Sequence, residues 1–241
     1  MKTGGKARQE KPGAARAERS TAAPPKKIML VDDHPMMRAG LAQFINKQPD
    51  LEICCEFGSA TEAFEGLPKF NPDLVLTDLT LPDKSGIELI KDLLAVTPGL
   101  PILVVSMHDE TVYAERVLRA GARGYIMKES GGENLLASIR HVLSGQVYVS
   151  ARISARILEN FSGRKPRGSD SPIQKLSDRE FEIFQLIGQG KGTREIAKQL
   201  HLSPKTVEVH RGHLKEKLEL KDAVALVHSA VRWVESQNPA G

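Results

Sequence analysis

The chain has 241 residues and a mass of 26.4 kDa, enough for one large domain or two small ones, each with its own core. Its two cysteines, Cys54 and Cys55, are neighbours in an apolar run where a mutual disulfide would be strained, which argues against a stapled secreted fold and for a reducing, cytoplasmic setting. No apolar stretch approaches the roughly 20 residues needed to span a bilayer, and the N-terminus lacks the apolar region of a signal peptide, so no membrane association is expected.

The net charge of +4 is unevenly spread: residues 1–27 carry eight Lys/Arg against two Glu, residues 28–150 ten against seventeen acids, and residues 151–241 sixteen against eleven. An acidic middle flanked by basic ends is a prior for nucleic-acid contact at one or both ends. Residues 1–26 are rich in Gly, Ala, Lys, Arg and Pro and hold too few apolar groups to bury, so a disordered basic tail is expected there.

From Lys27 the pattern alternates between strand and helix. Ile28–Val31 is an apolar run ending in Asp32-Asp33-His34-Pro35, followed by a helical stretch at Met36–Lys47. Leu51–Phe57 reads as a second strand and Thr61–Leu67 as a short helix. Leu74–Thr77 is a third strand, delivering Asp78 to its end, and Ser85–Val96 is a helix with Ser85 as N-cap. Ile102–Val105 ends in Ser106, Thr111–Ala120 is closed by Gly121, Gly124–Met127 hands over to Lys128, and Glu133–Leu143 stops at Gly145.

Five strands alternating with five helices imply an α/β doubly wound parallel sheet of the flavodoxin-like kind, here spanning 27–145. Asp32, Asp33, Asp78, Ser106 and Lys128 all lie just past strand ends, so they should converge on one edge of the sheet. Three clustered carboxylates repel one another and need a cation, and an oxygen-only donor set suits Mg²⁺. Lys128 and the Ser106 hydroxyl add a positive charge and a donor, the groups that stabilise a phosphoryl group in flight. His34 reads as a partner for a neighbouring acid, and the cysteines as part of a strand.

Ile28-Met29-Leu30-Val31-Asp32-Asp33-His34-Pro35, Leu76-Thr77-Asp78-Leu79-Thr80-Leu81-Pro82, Val104-Val105-Ser106 and Gly121–Lys128 together resemble the receiver domain of a two-component response regulator. The resemblance implies that Asp78 is the phospho-acceptor, Asp33 a direct metal ligand, Asp32 a ligand through water, and the Thr80 carbonyl another ligand. It makes Ser106 and Lys128 the holders of the phosphoryl oxygens, with Ser106 and Tyr125 as the switch pair. His108, two past Ser106, is a candidate for modulating water access. A rival reading, an aspartyl-phosphate phosphatase, wants a second acid two residues after the first, where Thr80 stands, so a regulator and not an enzyme is expected. A regulator that binds DNA without phosphorylation is the other alternative.

Residues 146–172, with Gly163, Pro166, Gly168 and Pro172 around Arg164-Lys165-Pro166-Arg167, read as a linker with a helical portion at Ser150–Phe161. A small all-α domain is expected at 173–238. It opens on a capping box, Ser177 with Glu180, and a staple of Leu176 and Phe181. Gly188 and Gly190 stop that helix, Thr193 opens the next, and Ser203-Pro204 starts a third. In the third helix Val207, His210, Leu214 and Leu218 form an apolar stripe, leaving Lys205, Val209 and Gly212 on the opposite face and Thr206, Glu208 and His213 at its margins. That arrangement fits a helix-turn-helix.

Leu176-Ser177-Asp178-Arg179-Glu180, Thr193–Ala197 and Leu202–His210 resemble the LuxR-type DNA-binding domain, and joined to a receiver they resemble regulators of the NarL/FixJ type. The resemblance implies base-facing positions at Glu208, Val209 and Gly212, with Lys205 and Thr206 near phosphates. It implies a sensor histidine kinase, promoter half-sites on double-stranded DNA and a phosphorylated homodimer as partners, with RNA polymerase as a further candidate. In the last helix, Asp222–Glu235, the expectation is that Val224, Val227, Val231 and Val234 face the core while Leu226, Ala230 and Trp233 form a dimer face.

Overall fold

The computed structural model describes residues 24–161, 172–200 and 202–237. All but the end of the expected basic tail, and the Arg164–Arg167 stretch, lie outside the described residues.

The first half is a five-stranded parallel sheet in the order β2-β1-β3-β4-β5. Its strands are β1 (Lys26–Val31), β2 (Leu51–Phe57), β3 (Leu74–Thr77), β4 (Ile102–Ser106) and β5 (Gly124–Met127). Helices α1 (Pro35–Ile45), α2 (Ala60–Phe70), α3 (Gly86–Val96) and α4 (Glu110–Arg119) fill the four crossovers, and α5 (Gly132–Leu143) follows β5. The strand residues divide by parity, as period-2 side chains must. Ile28, Leu30, Leu74, Leu76, Leu103 and Val105 pack under α1 and α5, whereas Met29, Val31, Val75, Ile102 and Val104 pack under α2, α3 and α4. Burial on both faces explains why these strands read as continuous apolar runs.

Caps set the helix starts. Ser59, Ser85 and Asp109 each accept a backbone N–H from the first turn of α2, α3 and α4. The α2 helix runs to Phe70, beyond the expected Leu67, with Pro68 inside it and Asn71 closing it at φ 43°. Asn tolerates that left-handed conformation, so the helix stops there and not at the proline.

The second half is helical: α6 (Ala151–Phe161), a short 3₁₀ turn, then α7 (Asp178–Gly188), α8 (Thr193–Gln199), α9 (Pro204–Lys217) and α10 (Ala223–Gln237). The expected Ser177–Glu180 capping box is formed on both sides, and Ser203 caps α9 with Pro204 in the first turn.

The expected dimer face of α10 is overturned, and its expected core stripe holds only at Val231 and Val234, which are partly buried, Val234 lying against Gly188. Leu226 and Ala230 are fully buried in the helical domain, and Trp233 packs edge-on against Phe181 at 5.2 Å and beside Phe184 at 5.9 Å. Val224 and Val227 are the exposed residues, at 63% and 37%. The cause is close approach between helices: a Cβ on Gly188 would lie 2.4 Å from the Ala230 carbonyl oxygen, so α7 and α10 cross where both side chains are small. Leu226 and Trp233 are thereby drawn inward on the same face of α10 as Ala230. Among the described residues, no helix is long and apolar enough to cross a membrane.

Candidate functional site

Adjacent strands β1 and β3 bring two carboxylates together, because the sheet ladder continues one residue past each strand. Asp32 N donates to Phe57 O and Asp78 N to Val31 O, fixing both residues at the carboxyl edge. Both are almost fully buried. Lys128, from the end of β5, reaches across and donates to Asp32 Oδ2 and Asp78 Oδ2, each at 2.7 Å. Burial opposes its charge, but Asp78 and Asp32 outweigh that and hold the lysine above its ordinary range. The other Asp78 oxygen accepts from Leu79 N at 2.6 Å and, at 3.4 Å, from Thr80 N. The loop can turn back this tightly because Gly86 follows: a Cβ there would come within 2.4 Å of the Asp78 carbonyl oxygen.

Asp33 is only partly buried, yet its Oδ1 is enclosed and has no hydrogen-bond partner among the described residues. The ring of His34, largely exposed, lies 2.6 Å from that oxygen without hydrogen-bond geometry. Asp32, Asp33, His34 and Asp78 each place a donor atom within 4.8 Å of the others. A carboxylate oxygen that accepts no hydrogen bond, beside two more carboxylates, is a donor set matched to a hard divalent cation such as Mg²⁺.

Ser106, at the end of β4, is buried and its hydroxyl oxygen faces the N–H of His108 at 3.4 Å. Tyr125 on β5 is buried and donates its hydroxyl to His108 O at 2.6 Å. The His108 ring is bonded to the Thr80 hydroxyl at 2.9 Å, tying together the loops that follow β3 and β4. Burial pushes the His108 imidazole below its usual range, partly opposed by Asp78, so the ring is neutral at neutral pH.

Sequence reasoning did not find what lies on the far side of His108. Its ring stacks on Tyr113 of α4, with centroids 4.8 Å apart and planes at 27°. Tyr113 meets Phe181 of α7 edge-on at 5.2 Å, and its hydroxyl is hydrogen-bonded to the Gln185 side chain. One turn on, the buried guanidinium of Arg116 donates to the carbonyls of Ile173 and Leu176 at 2.7 and 2.8 Å and stands 4.4 Å over the Phe181 ring. Lys91–Asp178 at 2.6 Å and Arg179–Glu88 at 3.1 Å flank this contact. One signal was present in the sequence: Arg116 is a charged residue on the apolar stripe of Tyr113 and Val117.

The helical domain shows a second surface. Along α9, Val207 and Leu214 are fully buried and His210 and Leu218 partly so, as the apolar stripe required. Lys205, Glu208, Val209 and His213 are exposed, with Thr206 and Gly212 partly so. Thr206 is committed to the cap, its N–H and hydroxyl both on Ser203 Oγ. One Glu208 oxygen accepts from the Thr193 hydroxyl at 2.6 Å, which fixes the side chain against α8. Gly212 has open space where a Cβ would be, so nothing among the described residues requires glycine there.

Residues 28–140 match the family described as response regulator receiver domain, and residues 174–230 match bacterial regulatory proteins of the luxR family. The chain is a response regulator. It is 34% identical over 210 residues to oxygen regulatory protein NreC of Staphylococcus carnosus strain TM300, covering 86% of this chain and 97% of that one. The protein of that name from Staphylococcus aureus strain RF122 / ET3-1 is 36% identical over the same span. Among solved structures, RcsB from Salmonella enterica serovar Typhimurium, bound to the promoter rprA with the phosphomimetic BeF₃⁻, aligns with a TM-score of 0.67 at 26% identity, over 86% of this chain and 98% of that one. A LuxR-family response regulator from Aurantimonas sp. SI85-9A1 aligns with a TM-score of 0.54 at 34% identity, over 57% of this chain and 99% of that one. This response regulator thus joins a receiver to a LuxR-type helix-turn-helix, the NarL/FixJ arrangement, and is a phosphorylation-dependent transcription regulator.

Proposed function

We propose that Asp78 accepts a phosphoryl group from a sensor histidine kinase in the cytoplasm and that the new charge controls dimerisation and DNA binding by the helix-turn-helix. The observation that carries this reading is the arrangement around Asp78: Lys128 bridging it to Asp32 at 2.7 Å, beside an Asp33 oxygen whose close neighbour is the His34 ring. Asp33 directly, Asp32 through water, Asp78 and the Thr80 carbonyl would hold Mg²⁺, which when bound supplies positive charge against the phosphoryl oxygens. Asp78 attacks the phosphorus through a carboxylate oxygen, the kinase imidazole leaves, and Lys128 and the Ser106 hydroxyl take up the charge on the transferred group.

The output runs through the residues that Ser106 already touches. A phosphoryl group drawing on the Ser106 hydroxyl competes with the His108 N–H and disturbs the Tyr125 hydroxyl on the His108 carbonyl. His108 is stacked on Tyr113, and Tyr113 and Arg116 hold α7. Displacing His108 therefore loosens the contact between receiver and DNA-binding domain. Once free, Lys205 and Thr206 lie near phosphates, and Glu208, Val209, Gly212 and His213 lie in the major groove. Two copies would bind two half-sites; RcsB, solved as dimers bound to DNA, supports that stoichiometry. Val224 and Val227, exposed on α10, replace Leu226, Ala230 and Trp233 as the candidate dimer face. RNA polymerase is a further partner for the DNA-bound dimer.

Incubation with a small phosphodonor and Mg²⁺, read by intact mass, should add one phosphoryl group and raise affinity for DNA selected by the purified protein. Asp78→Ala should abolish both effects. Equal labelling of Asp78→Ala would overturn the assignment of the acceptor, and a DNA affinity indifferent to phosphodonor would overturn the control of binding.

A further inference from the structure

A second cluster of metal-binding side chains lies far from the acidic pocket in sequence, on the helix-turn-helix itself. His210 and His213 are three residues apart on α9, hence on one face, and their rings stand perpendicular with centroids 6.2 Å apart. Glu180, from the first turn of α7, points at them. Its side chain is 5% exposed, and one oxygen, Oε2, takes both conventional hydrogen bonds, from Ser177 N at 2.8 Å and Lys217 Nζ at 2.7 Å. Oε1 faces His213 Nδ1 at 3.8 Å. His210 Nδ1 is buried and has no hydrogen-bond partner among the described residues, a state that costs free energy in a folded protein. The three residues place donor atoms within 4.8 Å of one another.

We propose that Glu180, His210 and His213 form a site for a borderline divalent transition metal, of the class of Zn²⁺, Co²⁺ or Ni²⁺. Two imidazole nitrogens and one carboxylate oxygen are the ligands such ions prefer over Mg²⁺, and three protein ligands leave a position open to solvent. Metal–ligand bonds of about 2.0–2.2 Å require the donors to draw together. His213 is half exposed and able to rotate inward, and its approach would give the His210 nitrogen its missing partner through the ion. Two charges oppose the site. Lys217 already pairs with Glu180, and Arg179 lies close by while committed to Glu182, Glu88 and the Leu200 carbonyl. Because the Lys217 and Ser177 contacts both fall on Oε2, the ion can use Oε1 without displacing the ammonium. The site uses no residue of the acidic pocket, so the two should load independently.

Cobalt reports both occupancy and geometry. The full-length protein, first saturated with Mg²⁺, is titrated with Co²⁺ and followed by visible absorption. One equivalent should give the intense bands of a four- or five-coordinate ion with nitrogen ligands. Asp33→Asn should leave those bands unchanged, His213→Asn should weaken binding at least tenfold, and Zn²⁺ should displace the Co²⁺. His213 is exposed enough that its variant should fold, as the unchanged metal-free melting temperature would verify. Only the weak absorption of six-coordinate Co²⁺, or bands that survive in His213→Asn and vanish in Asp33→Asn, would overturn the site.

Discussion

Lys128, 4% exposed at its side chain, is the single positive charge within hydrogen-bonding reach of both Asp32 and Asp78 among the described residues. Lys128→Ala would leave three carboxylates facing one another, and breaking a buried pair of this kind costs about 3–5 kcal/mol. Urea unfolding should show a loss of that order, with Mg²⁺ restoring part of it; an unchanged midpoint would mean that water already screens the pocket. His108 gives a pH dependence of known sign. Burial depresses its pKa, so between its unfolded value, about 6.5, and its lower folded value the unfolded chain binds the extra proton. Stability is therefore full above about pH 6.5 and declines as pH falls through that window. The slope of melting temperature against pH should flatten in His108→Gln. Of these residues, Asp32, Asp78, Ser106 and Lys128 were legible in the sequence because each follows an apolar run, and strand ends in a parallel sheet share an edge. Tyr113 and Arg116 were not, since a tyrosine and an arginine on an amphipathic helix reveal nothing of which neighbour covers them.

Helix α10 shows where periodicity stops being informative. Val224, Val227, Val231 and Val234 repeat at helical spacing, and so do Leu226, Ala230 and Trp233; both stripes satisfy the pattern for a buried face. What decides between them is the partner helix, where Gly188 admits the Ala230 backbone. In the sequence Gly188 was legible only as a helix stop. Leu226→Ala should therefore cost about 2–5 kcal/mol as a core truncation, whereas Val227→Glu should leave the melting temperature nearly unchanged and weaken self-association in sedimentation. The opposite pattern would return Leu226 to the surface. On α9, Gly212→Ala fills open space and removes a helix-interior glycine, so it should stabilise the domain by about 1 kcal/mol. If DNA affinity falls in the same variant, the nucleic acid must approach the α9 backbone there.

At the scale of the molecule, the contact between the halves is a mixed one: charge pairs at its margin and the Tyr113–Phe181–Arg116 group inside. Arg116→Ala would leave the Ile173 and Leu176 carbonyls without their donors and Phe181 without its cation. The variant should show a larger hydrodynamic radius, faster proteolysis between α6 and α7, and tighter DNA binding without phosphodonor. Wild-type behaviour in all three would mean that Arg116 does not hold the halves together. The two-part architecture was readable from composition and motifs, but their docking was not, because it rests on side chains scattered over α3, α4 and α7. Tyr113 belongs to the packing of the receiver and, through Phe181, to that of the helical domain, so one apolar cluster runs unbroken from Val31 to Ala230. Heat should then melt the resting protein as a single cooperative block, and phosphorylation, by parting that cluster, should divide the calorimetric peak in two.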